Sequence, residues 1–504
     1  MKDSLLPRAS YNPTTILGAA IAVVAGVTGG SLLLVGFFEH NTNPYFGIFL
    51  YGVVPAFLVL GLLLIPFGMW REWKRIKSGI ERTEPIWPKI DLNVPRHRRS
   101  VVIFVIATSI FVVMSAVGSY KAYHFSESVE FCGTTCHEVM KPEYVAYQHS
   151  AHARVACAEC HIGSGADWWA KSKISGAYQV YSVIANKYSR PIETPLRELR
   201  PAQETCEQCH WPQKFFGGQQ KVFNHYMYDS ANSHWPINLL IKTGGGDPKT
   251  GQSSGIHWHM NIGVKVEYIA RDHDREDIPW VKITDKETGR VTVYANNDGD
   301  TLTTQQFDSL PKRTMDCMDC HNRPSHVYPT PDETVDLGIL VGGVNRALPD
   351  IKRVSVEAMT ATYATESEAM TGIANYIGSY YEKNYPAVYA SQKLEIDKAI
   401  QSVQAGFARS IFPEMKVNWA AYPSNLGHYN TIGCMRCHNG KLVSPDQKPI
   451  TTDCNACHTI LSQGTGERMA SSHGSDGLRF DHPVDIADAW EDTPCSECHA
   501  GVQP

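Results

Sequence analysis

All fourteen cysteines of this 504-residue chain fall into seven pairs, and each pair is followed at once by a histidine. Six copies read C-x-x-C-H: Cys157, Cys160 and His161; Cys206, Cys209 and His210; Cys317, Cys320 and His321; Cys434, Cys437 and His438; Cys454, Cys457 and His458; Cys495, Cys498 and His499. The earliest copy, Cys132, Cys136 and His137, has three residues between its cysteines, wider than haem attachment normally uses. Two thiols that add to vinyl groups, with an adjacent imidazole on an axial position of iron, are what a c-type haem needs. Tetrahedral zinc sites use C-x-x-C pairs without requiring the trailing histidine, and a disulfide framework does not require it either. The repetition therefore predicts seven covalently bound haem c groups and leaves no cysteine for a disulfide.

Each iron has a second axial position, so seven further ligands are needed unless one position stays open to substrate. Fourteen histidines lie outside the motifs. His40, His97 and His124 belong to the apolar N-terminal region and its loops and are poor candidates. The preferred pool is His152, His225, His257, His259, His326, His428, His473 and His482, each near a motif or in a His-rich stretch such as GIHWHM. His149, His234 and His273 read as surface or supporting residues. Met140, three residues after His137, suits packing against the porphyrin, with axial ligation as the alternative.

These motifs follow a membrane region. Residues 16–38, 46–69 and 101–123 are three apolar runs, each long enough to cross a hydrocarbon core of about 30 Å. The first exceeds the apolar part of a signal peptide and lacks an A-x-A-like end, so it reads as a retained helix. Pro55 and Pro66 interrupt the second, which membrane helices tolerate. Between the second and third runs the chain is dense in Arg and Lys, whereas EHNTNPY between the first and second has neither. The positive-inside rule then puts the basic loop and the N-terminus in the cytoplasm and everything after about residue 124 outside it. The expectation is a multi-pass protein of the inner (cytoplasmic) membrane, in contact with lipid, whose haem domains lie in the periplasm.

The rest of the chain divides by its motifs. After a membrane region at 1–124, residues 125–349 read as a four-haem domain, 350–415 as a helical linker broken at Pro386, and 416–504 as a three-haem domain. Within the first haem domain, VKVEYIA, WVKIT and RVTVYA alternate apolar and polar residues. They predict a small antiparallel sheet at about 263–295, inside a β insertion at about 255–307. The fold class is thus a mainly α and irregular multihaem cytochrome c with three transmembrane helices and that β insertion. A formal charge of −5 gives no reason to expect a nucleic-acid partner.

The stretch CHEVMKPEYVAYQHSAHARVACAECHIG, followed by WWAKSKISG, IETPLRELRPAQETCEQCH and CMDCHNRPSH, resembles the NapC/NirT family of membrane-anchored cytochromes. The resemblance implies oxidation of a membrane quinol and delivery of electrons to periplasmic partners. It also implies that His152 and His326 are distal ligands and that a lysine beside the first haem, matched by Lys171 or Lys173, serves the quinol site. Quinol oxidation releases protons, so polar groups are needed at the membrane edge, and Lys171, Lys173, Asp167 and Glu138 are the local candidates. Three helices with seven haems are similar in layout to inner-membrane quinol-oxidising cytochromes of metal-respiring bacteria, which implies periplasmic multihaem c-type cytochromes as acceptors. The alternative is a terminal multihaem reductase of a small oxyanion. Such a site is often marked by an altered motif such as C-x-x-C-K, and none occurs here.

Overall fold

The computed structural model describes residues 10, 12–38, 53–78, 91–135, 137–163, 166–195, 200–211, 215, 217–244 and 255–502. The chain divides into two compact units, Met1–Thr135 and Cys136–Pro504.

Among its described residues the first unit has three helices long and apolar enough to cross a membrane: α1 (Pro13–Phe38), α2 (Val54–Lys77) and α3 (Pro95–Ser126). Asn12 starts α1 by accepting the Thr15 amide at 2.8 Å. Gly18 of α1 packs against Gly61 of α2, and a Cβ on Gly61 would lie 2.6 Å from the Ala22 nitrogen. Such small-residue contacts are how helices approach closely in lipid, where burial of apolar surface does not drive them together. The second apolar run ends at residue 69, but α2 continues to Lys77 because WREWKRIK is as good a helix former in water. Residues 46–52 of that run, the loop EHNTNPY and residues 79–90 of the basic loop lie outside the described residues. Lys74 over Trp70 and Lys77 over Trp73 give the end of α2 the aromatic and cationic character of a bilayer interface. After α3, Ser128 caps the short α4 (Val129–Thr134) by accepting the Phe131 amide, and this helix carries Cys132.

The second unit opens with α5 (His137–Gln148), α6 (Cys157–His161), α7 (Ala166–Ile184) and α8 (Ala202–Thr205). A hairpin follows, β1 (Gln219–Tyr226) and β2 (His234–Ile241), and then the predicted meander of β3 (Val264–Ile269), β4 (Trp280–Asp285) and β5 (Val291–Asn296). In the DKETGR turn Asp285 accepts the amides of Glu287 and Thr288, and Gly289 takes the positive φ that the turn requires. Next come α9 (Thr304–Ser309), β6 (Arg313–Thr314) and a helical run of α10 (Pro331–Leu340), α11 (Ile351–Thr360), α12 (Glu366–Asn384), α13 (Pro386–Ser391) and α14 (Lys393–Ser410). Pro386 separates α12 from α13 and occupies the first turn of α13, where its missing N–H costs nothing. The C-terminal part adds β7 (Leu442–Val443), β8 (His458–Gln463), β9 (Ala470–Ser471) and α15 (Cys495–Cys498).

The nine strands among the described residues pair antiparallel in two sheets, with orders β1-β2-β8-β9 and β6-β3-β4-β5-β7. Each sheet joins strands from before residue 349 to strands from after residue 416. The two haem regions drawn as separate from their sequence therefore share both sheets. Likewise the helices of 350–415, with α10, enclose the largest apolar core of the unit, around Leu348, Ile351, Ile373, Ile377, Tyr381, Ile396 and Phe407. Lys352 lies buried beside this core and donates to Asp336 at 2.6 Å and to the Asp332 carboxylate at 3.1 Å. Asn232, between β1 and β2, donates to the carbonyls of Arg346 and Leu348 and accepts the Lys352 amide, fastening the hairpin to the helices.

Candidate haem-binding sites

From the second motif onward the cysteine pairs lie on single helical turns, and in the fourth and fifth the intervening residues hold the turn. In the fourth, Cys317-Met318-Asp319-Cys320, the Asp319 carboxylate is buried and accepts from Tyr268 at 2.7 Å, Arg313 at 2.8 Å and Arg275 at 3.1 Å. In the fifth, Arg436 is buried and donates to the Asp319 carbonyl at 2.6 Å and the Gly433 carbonyl at 2.8 Å. The fourth and fifth motifs are thereby locked to each other. The motif spacing singles out neither residue; their charge inside an attachment loop was the signal available.

Each motif histidine from the second motif onward faces one other imidazole. Ring centres are 6.2 Å apart for His161 and His326, 6.0 Å for His210 and His152, and 6.3 Å for His321 and His257. They are 5.9 Å apart for His438 and His259, 6.1 Å for His458 and His428, and 6.0 Å for His499 and His482. Two imidazoles on opposite sides of one metal, with metal–nitrogen bonds of about 2 Å, have ring centres about 6 Å apart. Two imidazoles at a tetrahedral zinc would be about 5 Å apart. The spacing fits axial ligation of a haem iron and not a zinc site. Among the described residues no His, Cys, Asp and Glu cluster of metal-binding form occurs either.

Hydrogen bonds fix the second imidazole in most pairs. Nδ1 of His326 meets the Glu143 carbonyl at 3.0 Å, that of His152 the Pro324 carbonyl at 3.1 Å, and that of His257 the Thr243 carbonyl at 2.5 Å. Nδ1 of His259 meets the Ile256 carbonyl at 3.1 Å and that of His482 the Val484 carbonyl at 2.7 Å. A ring whose Nδ1 donates to a carbonyl keeps Nε2 for a metal. Burial favours the neutral, ligating form of several of these rings. It lowers the pKa of His161 to about 4, helped by His326, and it also lowers those of His259, His321, His428, His458 and His499.

Two histidines of the pool do not face a motif imidazole ring among the described residues, although His225 is near enough to His499 to help lower its pKa. His225 lies 3.8 Å from Asp336 and 5.2 Å from the Tyr429 ring, and His473 is exposed. His234 stacks on Tyr226 and meets Asn224 at 2.9 Å, as a supporting residue does. For the first motif, Cys136 and the side chain of His137 lie outside the described residues.

The quinol-site candidates fall on two helices. Glu138 is exposed on the first turn of α5, and Met140, two residues further on, is half-buried. Lys171 is exposed and Lys173 half-buried on α7, two positions apart, so they project from different faces of that helix. The side chain of Asp167 lies outside the described residues.

A chain with covalent haem motifs and membrane-capable helices is a membrane-anchored c-type cytochrome, and this one belongs to the NapC/NirT cytochrome c family. Residues 94–210 match the family's N-terminal region. The chain is 42% identical over 489 residues to the cytochrome c-type protein ImcH of Geobacter sulfurreducens, covering 97% of this chain and 95% of that protein. It is 32% identical over 115 residues to the cytochrome c-type protein NrfH of Wolinella succinogenes, covering 22% of this chain and 63% of that one. No solved structure matches the chain. Family membership carries covalently bound haem c with it, and the motif histidines and their facing imidazoles are a donor set that accepts it.

Proposed function

We propose that this protein is a membrane-anchored heptahaem quinol dehydrogenase of the inner membrane, which oxidises a membrane quinol and passes the electrons to periplasmic multihaem c-type cytochromes. The observation that carries the reading is the continuity of α3 with the first motif: the helix ends at Ser126 and Cys132 follows six residues later. The first attachment site is thus tethered to the end of a membrane-capable helix, at the level where a lipid-soluble quinol is met. α7 adds an apolar surface to its lysines, with Ile174, Tyr178 and Ile184 all more than 60% exposed.

Haem, when bound, supplies a reversible one-electron couple at each motif. Conversion of a quinol to a quinone gives up two electrons and two protons, so the chain must receive the protons. Glu138 and Asp167 are the carboxylates available as bases, while Lys171 or Lys173 orients the quinol oxygen through an N–H donor. A terminal oxyanion reductase needs an iron with an open position, and the facing imidazoles at six motifs give that reading no support.

The test is anaerobic addition of a short-chain quinol to the purified, detergent-solubilised protein. The reading predicts that the visible spectrum changes to that of ferrous haem. A spectrum that stays ferric, while dithionite still reduces the protein, would overturn it.

A further inference from the structure

Beyond the region matched by the family, four motif histidines each face an imidazole from a different segment of the chain. We infer that His257, His259, His428 and His482 are the distal axial ligands of the haems carried by His321, His438, His458 and His499 respectively, so that the fourth to seventh motifs form a file of six-coordinate sites in chain order. The inference rests on the reading that the motifs hold haem.

The supply of ligands comes from two short segments that each serve neighbouring sites. His257 and His259 share the 3-10 turn Ile256–Met260. At three residues per turn, side chains two apart diverge by about 120°, so one turn feeds two irons and cannot put both rings on one. The turn is held in place at its start. Gly255 has φ +102°, a Cβ there would lie 2.5 Å from the Lys242 carbonyl, and the Ile256 amide donates to that same carbonyl at 2.9 Å. The Lys242 amide in turn donates to the carbonyl of Cys457, which ties the turn to the sixth motif.

The second segment is His428-Tyr429. His428 faces His458, while the Tyr429 ring stacks on His499 with centres 4.9 Å apart and its hydroxyl 3.4 Å from the His499 Nδ1. The sixth and seventh sites are therefore neighbours. The fifth and sixth are linked by His438, whose Nδ1 meets the Thr451 carbonyl at 2.7 Å, three residues before Cys454. The fourth and fifth are linked by Arg436 donating to the Asp319 carbonyl. Chain order and spatial order coincide through these contacts.

The pairs also differ in a way that spectroscopy reads. The ring planes are nearly parallel for His257 and His321, at 7°, and for His428 and His458, at 20°. They are perpendicular for His259 and His438, at 90°, and intermediate for His482 and His499, at 35°. Parallel imidazole planes give ferric low-spin haem a rhombic resonance, and perpendicular planes give a highly anisotropic one with a larger gmax.

The experiment is low-temperature electron paramagnetic resonance of the ferric, haem-loaded protein, with the haem count taken from its intact mass. The wild type should show both classes of signal. His257→Ala, His259→Ala, His428→Ala and His482→Ala should each convert one low-spin haem to a high-spin, cyanide-binding one, and His259→Ala should remove a large-gmax signal. His225→Gln and His473→Gln should leave the low-spin population intact. A wild-type spectrum with no large-gmax signal would overturn the assignment without any variant, as would unchanged low-spin intensity in the four alanine variants. A protein with fewer than seven haems would instead count against the haem reading itself.

Discussion

In the helical core of the second unit, Leu348, Ile351, Val354, Ile373, Ile377, Tyr381 and Ile396 have no accessible surface, whereas none of the thirteen described motif cysteines is buried. The motif turns Cys157–His161, Cys206–Gln208, Cys454–Ala456 and Cys495–Cys498 contain no buried residue at all. The helices close on their own aliphatic and aromatic side chains, each contributing about 1.5–3 kcal/mol on burial. The motif segments are held by hydrogen bonds and ion pairs around surfaces whose apolar complement is a macrocycle. One region is folded by its sequence, and the other is folded by its sequence together with its cofactor.

The largest effect should come from withholding haem. Protein made without the c-type maturation machinery should lose hydrogen-exchange protection across the motif segments while α10–α14 stay protected. Equal protection in both regions would break the comparison. Nearly as large is removal of residues 416–504, which takes β8 from the interior of one sheet and β7 from the edge of the other. The remaining chain should aggregate or lose haem from its fourth motif, because β2 is left with an exposed edge and Asp319 loses Arg436. A soluble truncated protein with all four remaining haems would show the halves to be independent.

Within the helical core, Phe407→Ala should cost about 3–5 kcal/mol, read as a lower denaturant midpoint with the haem count unchanged. Thr330→Ala sharpens the comparison at its small end. Thr330 caps α10 by accepting the Glu333 amide at 3.1 Å, and its loss should cost about 1 kcal/mol with no change in the haem spectrum. A spectral change in either variant would mean that the core and the haem segments are not separable in this way.

How much of this was legible in advance follows the range of the forces involved. Apolar runs and alternating strands are local patterns, so α1–α3 and the β3–β5 meander could be read directly. β1 and β2 could not, because β1 (QQKVFNHY) shows no alternation, its first half being exposed, and β2 carries Pro236. The two-residue strands β6, β7 and β9 have no period to read. The motif histidines were legible because attachment requires a fixed spacing. Their partners could be narrowed to a pool of eight histidines but not paired off motif by motif, because His161 meets His326 from 165 residues away. His225 and His473 look as suitable as His428 by position, yet Asp336 and Tyr429 engage His225 instead.

Intact-mass measurement of the mature protein, with and without Cys132→Ala and Cys136→Ala together, tests the central claim most directly. The account predicts the polypeptide mass plus seven haems for the wild type and six for the double variant. A wild-type mass with fewer haems, or one carrying zinc in their place, would contradict it.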